Sequence, residues 1–301
     1  MVGDVMLDTF VTGDTQRISP EAPVPVVSVD QIFHRAGGAA NLAVNLAGLG
    51  FDCTLVGCVG KDREADMLKS ILMDAGVEFV LIEVSDLPTI QKIRVISRNQ
   101  QMIRLDREKN FDDLDVAVGL EKMVDERKFD SMAVSDYNKG FCSTTLLELL
   151  VEKAERDQIK MLVDPKGKDW GKYKGSYLVK PNIHEMEEIT GVKLANDTAA
   201  IIKYGKQLLA DYDLSHLLIT RGGADSILMD HHHHRFIPVA KAEVYDVTGA
   251  GDTTFAALIY GIHEGLTLAE AAHLANKAGS IAVSKPFTYS LTIDELEKIK
   301  E

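Results

Sequence analysis

The 301-residue chain is 46% hydrophobic and 26% charged, an ordinary globular mixture with no apolar run long enough to span a bilayer and no signal-peptide pattern at its start. A formal net charge of −13 argues against nucleic acid as the main partner, because a phosphate backbone asks for a basic face, yet a small anion could still enter a local basic pocket. Cys53, Cys58 and Cys142 show no CxxC spacing and read as free thiols of a reducing cytoplasm.

In "MVGDVMLD" (1–8) only Met1 and Val2 precede Gly3, so a shortened first strand, and a chain clipped there, is expected. Residues 9–36 carry three prolines and β-type alternation with no helical period. Next comes "RAGGAANLAVNLAGLG" (35–50). Ala39, Leu42, Ala43, Leu46 and Ala47 form one apolar helical face, Gly37 and Gly38 open the helix, and Asn41 lies in the first turn off that face. An asparagine there can both donate to and accept from a pair of sugar hydroxyls. "TLVGCVG" (54–60) reads as a short buried strand. Residues 89–106, "TIQKIRVISRNQQMIRLD", read as a hairpin turning near Ser97–Gln100, which sets Arg94 opposite Arg104 and Lys92 opposite Asp106. Neither 9–36 nor 89–106 fits a strand–helix–strand unit, so both are assigned to a small separate sheet that covers a crevice as a lid. Such a sheet leaves an apolar face open, and pairing with a second copy would hide it; a homodimer through the lid is therefore expected.

Four further apolar runs, "SMAVSD" (131–136), "KMLVDPKG" (160–167), "SYLVKPN" (176–182) and "LLITRGG" (217–223), alternate with helical patterns at 145–159 and 199–212. That rhythm predicts a parallel sheet of βαβ units. Asp136, Asp164, Asn182 and the pair Thr220/Arg221 all fall where a run stops, and ligands of open α/β sheets bind beyond the carboxyl ends of strands. Any one of them could equally be a turn former. In "KPNIHEME" (180–187) Asn182 and Glu185 share a helical face and offer hard oxygens suited to Mg²⁺ through water, with Lys180 placed for nucleotide phosphates. The same Asn and Glu would also make a capping box. "DHHHHR" (230–235) bridges two hairpin strands and reads as a solvated turn rather than a metal site. Last comes "DVTGAGDTTF" (246–255). The N–H groups of Gly249, Ala250 and Gly251 would form a concavity for an anion, and Asp252 beside it could take a proton from a hydroxyl attacking a bound phosphoryl group. A plain glycine cap followed by a capping aspartate is the alternative. No Walker A sequence and no complete GxGxxG is present, so P-loop and dinucleotide sites lack support.

"GDVMLD", "GGAAN", "KPNIHE" and "DVTGAGDTTF", in this order and across essentially the whole chain, resemble the ribokinase-like (phosphofructokinase-B type) sugar kinases. Within that family "RISPEAPVPVV", "SRNQQMIRLD", "SDYNKG" and "VDPKG" look like the D-glycero-β-D-manno-heptose 7-phosphate kinases. The resemblance implies one kinase domain over 1–301, an α/β three-layer sandwich with a mostly parallel central sheet and a β lid. It implies ATP with Mg²⁺ phosphorylating an anomeric oxygen, in the synthesis of lipopolysaccharide-core precursors. Asp252 is then the base and Gly249–Gly251 the anion hole. Asp8, Gly38 and Asn41 would hold the sugar, with Asp136 and Lys139 beside it. Lys180, Asn182, Thr220, Gly222 and Asn276 would meet the nucleotide, and Asn182 and Glu185 the Mg²⁺. Some relatives carry a monovalent cation near the position of Asp246, so the resemblance makes that residue a candidate for one.

A sugar 7-phosphate would also separate the facing arginines, since like charges directly across a ladder repel. Arg94 and Arg104, with Lys92, Lys139 or Arg17 in reserve, are the expected phosphate clamp; the alternative is that one arginine points to solvent. The chain departs from its relatives at Asp225 and at Pro286–Phe287, both expected near the adenine pocket. It ends at "DELEKIKE" without an HxGH, so adenylyl transfer is expected to need another protein. A kinase of another sugar or sugar phosphate is the second reading, and a non-catalytic sugar-phosphate sensor the third.

Overall fold

A computed structural model describes residues 1–98, 100–111, 117–194 and 197–300. The first half runs β1 (Val2–Gly3), β2 (Val5–Ile18), β3 (Pro25–Gly38), α1 (Ala39–Gly48), β4 (Thr54–Gly60), α2 (Arg63–Asp74), β5 (Glu78–Val84), β6 (Gln91–Ser97), β7 (Gln100–Arg107) and α3 (Ala117–Glu126). The second half runs β8 (Ser131–Ser135), α4 (Thr144–Asp157), β9 (Lys160–Asp164), β10 (Leu178–Val179), α5 (Ile183–Thr190), α6 (Thr198–Asp211), β11 (His216–Arg221), β12 (Ala224–Met229), β13 (His234–Ile237), α7 (Ala250–His263), α8 (Leu268–Ala282) and α9 (Ile293–Lys300). No helix among the described residues is long and apolar enough to cross a membrane.

The large sheet has the order β13-β12-β11-β10-β9-β8-β1-β4-β5. It is parallel from β11 to β5, and β12 and β13 close it as antiparallel hairpin strands. Strand alternation sorts side chains to two faces, because successive residues point to opposite sides. Leu55 and Val59 of β4, Leu162 of β9 and Leu218 of β11 join the core formed with α1, α7 and α8. Val56 and Cys58, Met161 and Val163, and Leu217 and Ile219 join the core under α4 and α6. Helices on both sides of a sheet make three layers. "SYLVKPN" pairs over only Leu178–Val179; Pro181 has no N–H to continue the ladder.

Residues of the two segments that break the βαβ rhythm lie in a second sheet, order β3-β2-β6-β7. Arg94 pairs with Arg104 and Lys92 with Asp106, the register expected from the sequence; residue 99 of the turn lies outside the described residues. Directly paired residues share a face. One face therefore carries the row Arg104–Arg94–Phe10–Phe33 and, two residues along, Asp106–Lys92–Asp8–Arg35. The other carries Ile103–Val95–Val11–Ile32.

Candidate active site

Asp252 sits in the first turn of α7 and is only 3% exposed. Gly249 caps that helix at φ 76, a left-handed conformation that a side chain would strain, and a Cβ there would come within 2.9 Å of Asn41 Nδ2. A Cβ on exposed Gly251, in contrast, would meet nothing within 4 Å, so the helix start faces open space. Helix geometry leaves first-turn amides without intrahelical acceptors. Ala250 is the exception among the three expected anion-hole residues: its N–H already reaches Val247 O at 3.3 Å. An anion hole at this helix start would therefore draw on the amides of Gly249 and Gly251 rather than that of Ala250.

Both carboxylate oxygens of Asp252 are held. Asn41 Nδ2 donates to Oδ2 at 2.7 Å, and the Tyr137 hydroxyl donates to Oδ1 at 3.1 Å. Asn45, one turn along α1, donates to Asn41 Oδ1 at 3.3 Å and so keeps the Asn41 amide nitrogen turned toward the aspartate. Asn41, expected on the sugar hydroxyls, is thus first a donor to Asp252. Burial pushes the Asp252 carboxyl up to about 7; Asn41, Tyr137 and the Lys180 ammonium oppose the rise, and the Asp164 charge adds to it. A carboxyl titrating near neutrality is poised to exchange a proton.

At the carboxyl ends of β9 and β10, Lys180 pairs with Asp164 at 3.1 Å, and its ammonium lies 5.5 Å from the Phe255 ring of α7. Asn182 and Glu185 form the capping box of α5. The asparagine accepts from the His184 and Glu185 amides at 2.9 and 3.0 Å, and Glu185 Oε2 accepts from the Asn182 amide at 2.8 Å. Glu185 Oε1 takes Lys166 Nζ at 3.1 Å. Thr220 at the end of β11 bridges to Asn182, its amide on Pro181 O at 2.9 Å, and Gly222 turns toward β12 at φ 61.

Two expected site residues are corrected. Asp136 points into the protein: Oδ2 takes the Tyr173 hydroxyl at 2.7 Å and Lys172 at 2.5 Å, Oδ1 takes the Asn138 amide, and its side chain is 1% exposed. Three internal donors commit its two oxygens to Tyr173, Lys172 and the following loop. Asn276 is likewise committed, with Nδ2 on the carbonyls of Ile237 and Pro238 at 3.1 Å and Oδ1 accepting from Ser226, so it ties α8 to the end of β13.

On the second sheet, Asp8 and Arg94 form a buried ion pair at 2.6 Å. Burial raises the Asp8 carboxyl, while Arg94, Lys92 and Arg104 pull it down. Arg104 is half-exposed and binds Asp106 through two nitrogens at 2.9 Å each. The facing arginines are therefore relieved by carboxylates of this chain, which corrects the expectation that an outside anion must separate them. Lys139 pairs with Glu108 at 2.6 Å. Gly38 joins β3 to α1 at φ 56, where a Cβ would press on Asp4 O at 2.5 Å.

Phe287 stands at φ 63, an unusual conformation for a non-glycine residue. Its amide donates to Asp246 Oδ2 at 3.1 Å while Thr248 N–H takes Oδ1 at 2.9 Å. Its ring meets Phe10 and Phe33 edge-on, 4.9 Å from each. Phe287 thus packs against the second sheet and ties it to the loop before α7.

Sequence reasoning did not single out Tyr137, Asn45 or Asp4. Asn45 carried a legible signal, a second asparagine four residues after Asn41 on an otherwise apolar helix. Asp4 and Tyr137 lie within the family-like stretches "GDVMLD" and "SDYNKG", but their roles were not legible there, since their contacts are made across the fold.

A profile described as pfkB family carbohydrate kinase matches residues 1–295. Among curated proteins, "Bifunctional protein HldE" of Pseudomonas entomophila is 43% identical over 301 residues, which cover 99% of this chain and 62% of that protein. The protein of the same name from Shewanella piezotolerans is 43% identical over 300 residues, covering 98% and 62%. The chain therefore spans under two thirds of the length of these relatives. Among solved structures, phosphofructokinase-2 from Escherichia coli in complex with potassium shares the fold with a TM-score of 0.81 at 20% identity, covering 100% of this chain and 97% of that one. Arabidopsis thaliana ribokinase complexed with ribose and ATP does so with a TM-score of 0.77 at 18% identity, covering 100% and 97%. With the three-layer sheet, the glycine-opened α7 and a profile match over nearly its whole length, the chain belongs to the pfkB family of carbohydrate kinases.

Proposed function

We propose that this chain transfers the γ-phosphoryl group of ATP to the anomeric hydroxyl of a heptose 7-phosphate, D-glycero-β-D-manno-heptose 7-phosphate, in the making of lipopolysaccharide-core precursors. The observation that carries the reading is the buried Asp252 carboxylate, held by Asn41 and Tyr137 beside the open start of α7. In the step itself the sugar O–H gives its proton to Asp252 as the oxygen attacks the γ-phosphorus. The bond to ADP breaks, and the amides of Gly249 and Gly251 stabilise charge on the moving phosphoryl oxygens. Lys180, now on Asp164, would meet the nucleotide phosphates, with Thr220 and Gly222 flanking the same strand ends.

Mg²⁺ fits Asn182 and Glu185 through water. The Asn182 carbonyl and both Glu185 oxygens already accept protein donors, so lone pairs remain for ordered water but no open ligand shell does. Bound there with ATP, the ion would neutralise phosphate charge. Asp246, bound to two amides, keeps lone pairs that a monovalent cation could share.

The phosphorylated substrate is supported by the branch-specific stretches and by Lys92, Arg94 and Arg104 gathered around Asp8. Buried, unpaired thiols suit a reducing compartment, and the reading places the protein in the cytoplasm. The test is an ADP-release assay over free and phosphorylated sugars, run in potassium and in a bulky organic cation. Turnover with the heptose 7-phosphate, highest in potassium, is expected. Turnover with free sugars alone would overturn the heptose assignment, and equal rates in both cations would remove the monovalent site.

The second sheet supports the homodimer as well. Ile32 and Ile103 lie in the same outer row at 60% and 52% exposure, and Leu105 adds 50% one row along. An open apolar sheet face of this kind is a covering surface for a second copy. Ile32→Lys with Ile103→Lys is expected to convert a two-chain mass in sedimentation to a one-chain mass; a parent protein already monomeric at micromolar concentration would end the idea.

A further inference from the structure

Asp4, in "GDVMLD", accepts three backbone amides from the loop after β8: Tyr137 at 2.8 Å, Lys139 at 3.1 Å and Phe141 at 3.2 Å. Within that loop Asn138 and Gly140 take positive φ values of 56° and 95°, so the chain is folded tightly around one carboxylate. The consequence is local. Tyr137 is carried to where its hydroxyl reaches Asp252 Oδ1, and its ring lies 5.5 Å from the Lys92 ammonium of the second sheet. A carboxylate has about four lone-pair sites, so a donor on each oxygen still leaves room for a substrate hydroxyl.

We propose that Tyr137 is a positioning residue for the base: its hydroxyl, aimed by the Asp4-organised loop, sets the orientation of the Asp252 carboxylate and favours its ionised form. The inference rests on the reading of Asp252 as the base. A donor to the charged form lowers a carboxyl's pKa, and here that donor works against burial. The groups facing Asp252 come from every neighbouring element. They are Asn41 on α1, Asp164 at the end of β9, Lys180 after β10 and Tyr137 itself, with Asp8 and Lys92 just beyond the phenol. Of these only Tyr137 and Asn41 touch the carboxylate, and Asn41 also underpins the helix start through Asn45. Tyr137 is therefore the contact that can be removed alone.

The experiment is the pH profile of kcat/KM for the wild type, Tyr137→Phe and Asp252→Asn, with melting temperatures alongside. A base must be ionised to act, so losing a donor moves the acidic limb of the profile upward. Tyr137→Phe is expected to shift that limb by about one pH unit, lowering kcat/KM about tenfold near ~pH 6 and returning close to the parent value near ~pH 9. KM for both substrates and the melting temperature should hardly move. A limb that superimposes on the parent's, or a loss equal at all pH values, overturns the positioning role while Asp252→Asn remains inactive. Full turnover by Asp252→Asn would instead overturn the assignment of the base, and the inference with it.

Discussion

Asp252→Asn is expected to lower kcat by two to four decades, roughly the contribution of a positioned general base, while ATP and sugar still bind. The amide is nearly the same size, so the turn that bares Gly249 and Gly251 should persist, and proton acceptance is what disappears. The same substitution should raise stability at alkaline pH. In the folded chain burial lifts the Asp252 carboxyl from 3.8 to about 7. An acid whose folded value is raised contributes fully below its unfolded value, and that contribution is lost as pH climbs through the folded one. Wild type should therefore lose stability between about pH 4 and pH 7 on account of this group. Asp252→Asn should not, so its melting temperature should exceed the parent's at ~pH 8 and the gap should close at ~pH 4. A variant that is inactive and less stable at every pH would mean that the site has collapsed. A variant with undiminished turnover would remove Asp252 from the chemistry.

Arg94→Ala carries the second large effect. Arg94 is 9% exposed and bonded to buried Asp8, whereas Arg104 is half-exposed and already bound twice by Asp106. Removing one partner of a buried charge pair costs about 3–5 kcal/mol when nothing replaces it; here Lys92 and Arg104 remain near Asp8 and reduce that figure. If Arg94 receives the sugar phosphate, KM for the phosphorylated sugar should rise ~30- to 100-fold, the scale of a lost buried charge contact. Arg104→Ala should raise it only a few-fold. The free sugar separates this from general damage: its kcat/KM should change little, so the preference for the phosphorylated sugar collapses. An unchanged preference in Arg94→Ala would show that the phosphate is held elsewhere. Asp8→Asn with Arg94→Ala then serves as a check, because it removes both buried charges together and the preference must stay lost.

The hairpin shows how far local reading reaches. Its alternation and its turn residues set a register that places Arg94 against Arg104, and the structure has that register. What relieves Arg94 was out of reach, because it meets Asp8 across 86 positions of sequence, whereas Arg104 turns to Asp106 only two residues on. The capping pair in "KPNIHEME" was legible for the opposite reason, since Asn182 and Glu185 act within one helical turn. Asp136 misled because a polar residue at a strand end looks the same whether it faces the crevice or, as here, Tyr173 and Lys172 in the interior.

The sequence by itself determined the alternation of strands and helices, the separate β segments, the glycine-opened helix and the identity of the acidic residue at its start. Each depends on periodicity and backbone preference over a few neighbouring residues. Only the tertiary structure decided what surrounds that acid. Asn41 reaches it across 211 positions and Tyr137 across 115, and burial among them lifts its proton affinity toward neutrality. Such contacts form when the packed layers bring distant strand ends together, and no local pattern encodes which side chain will then be within hydrogen-bonding distance.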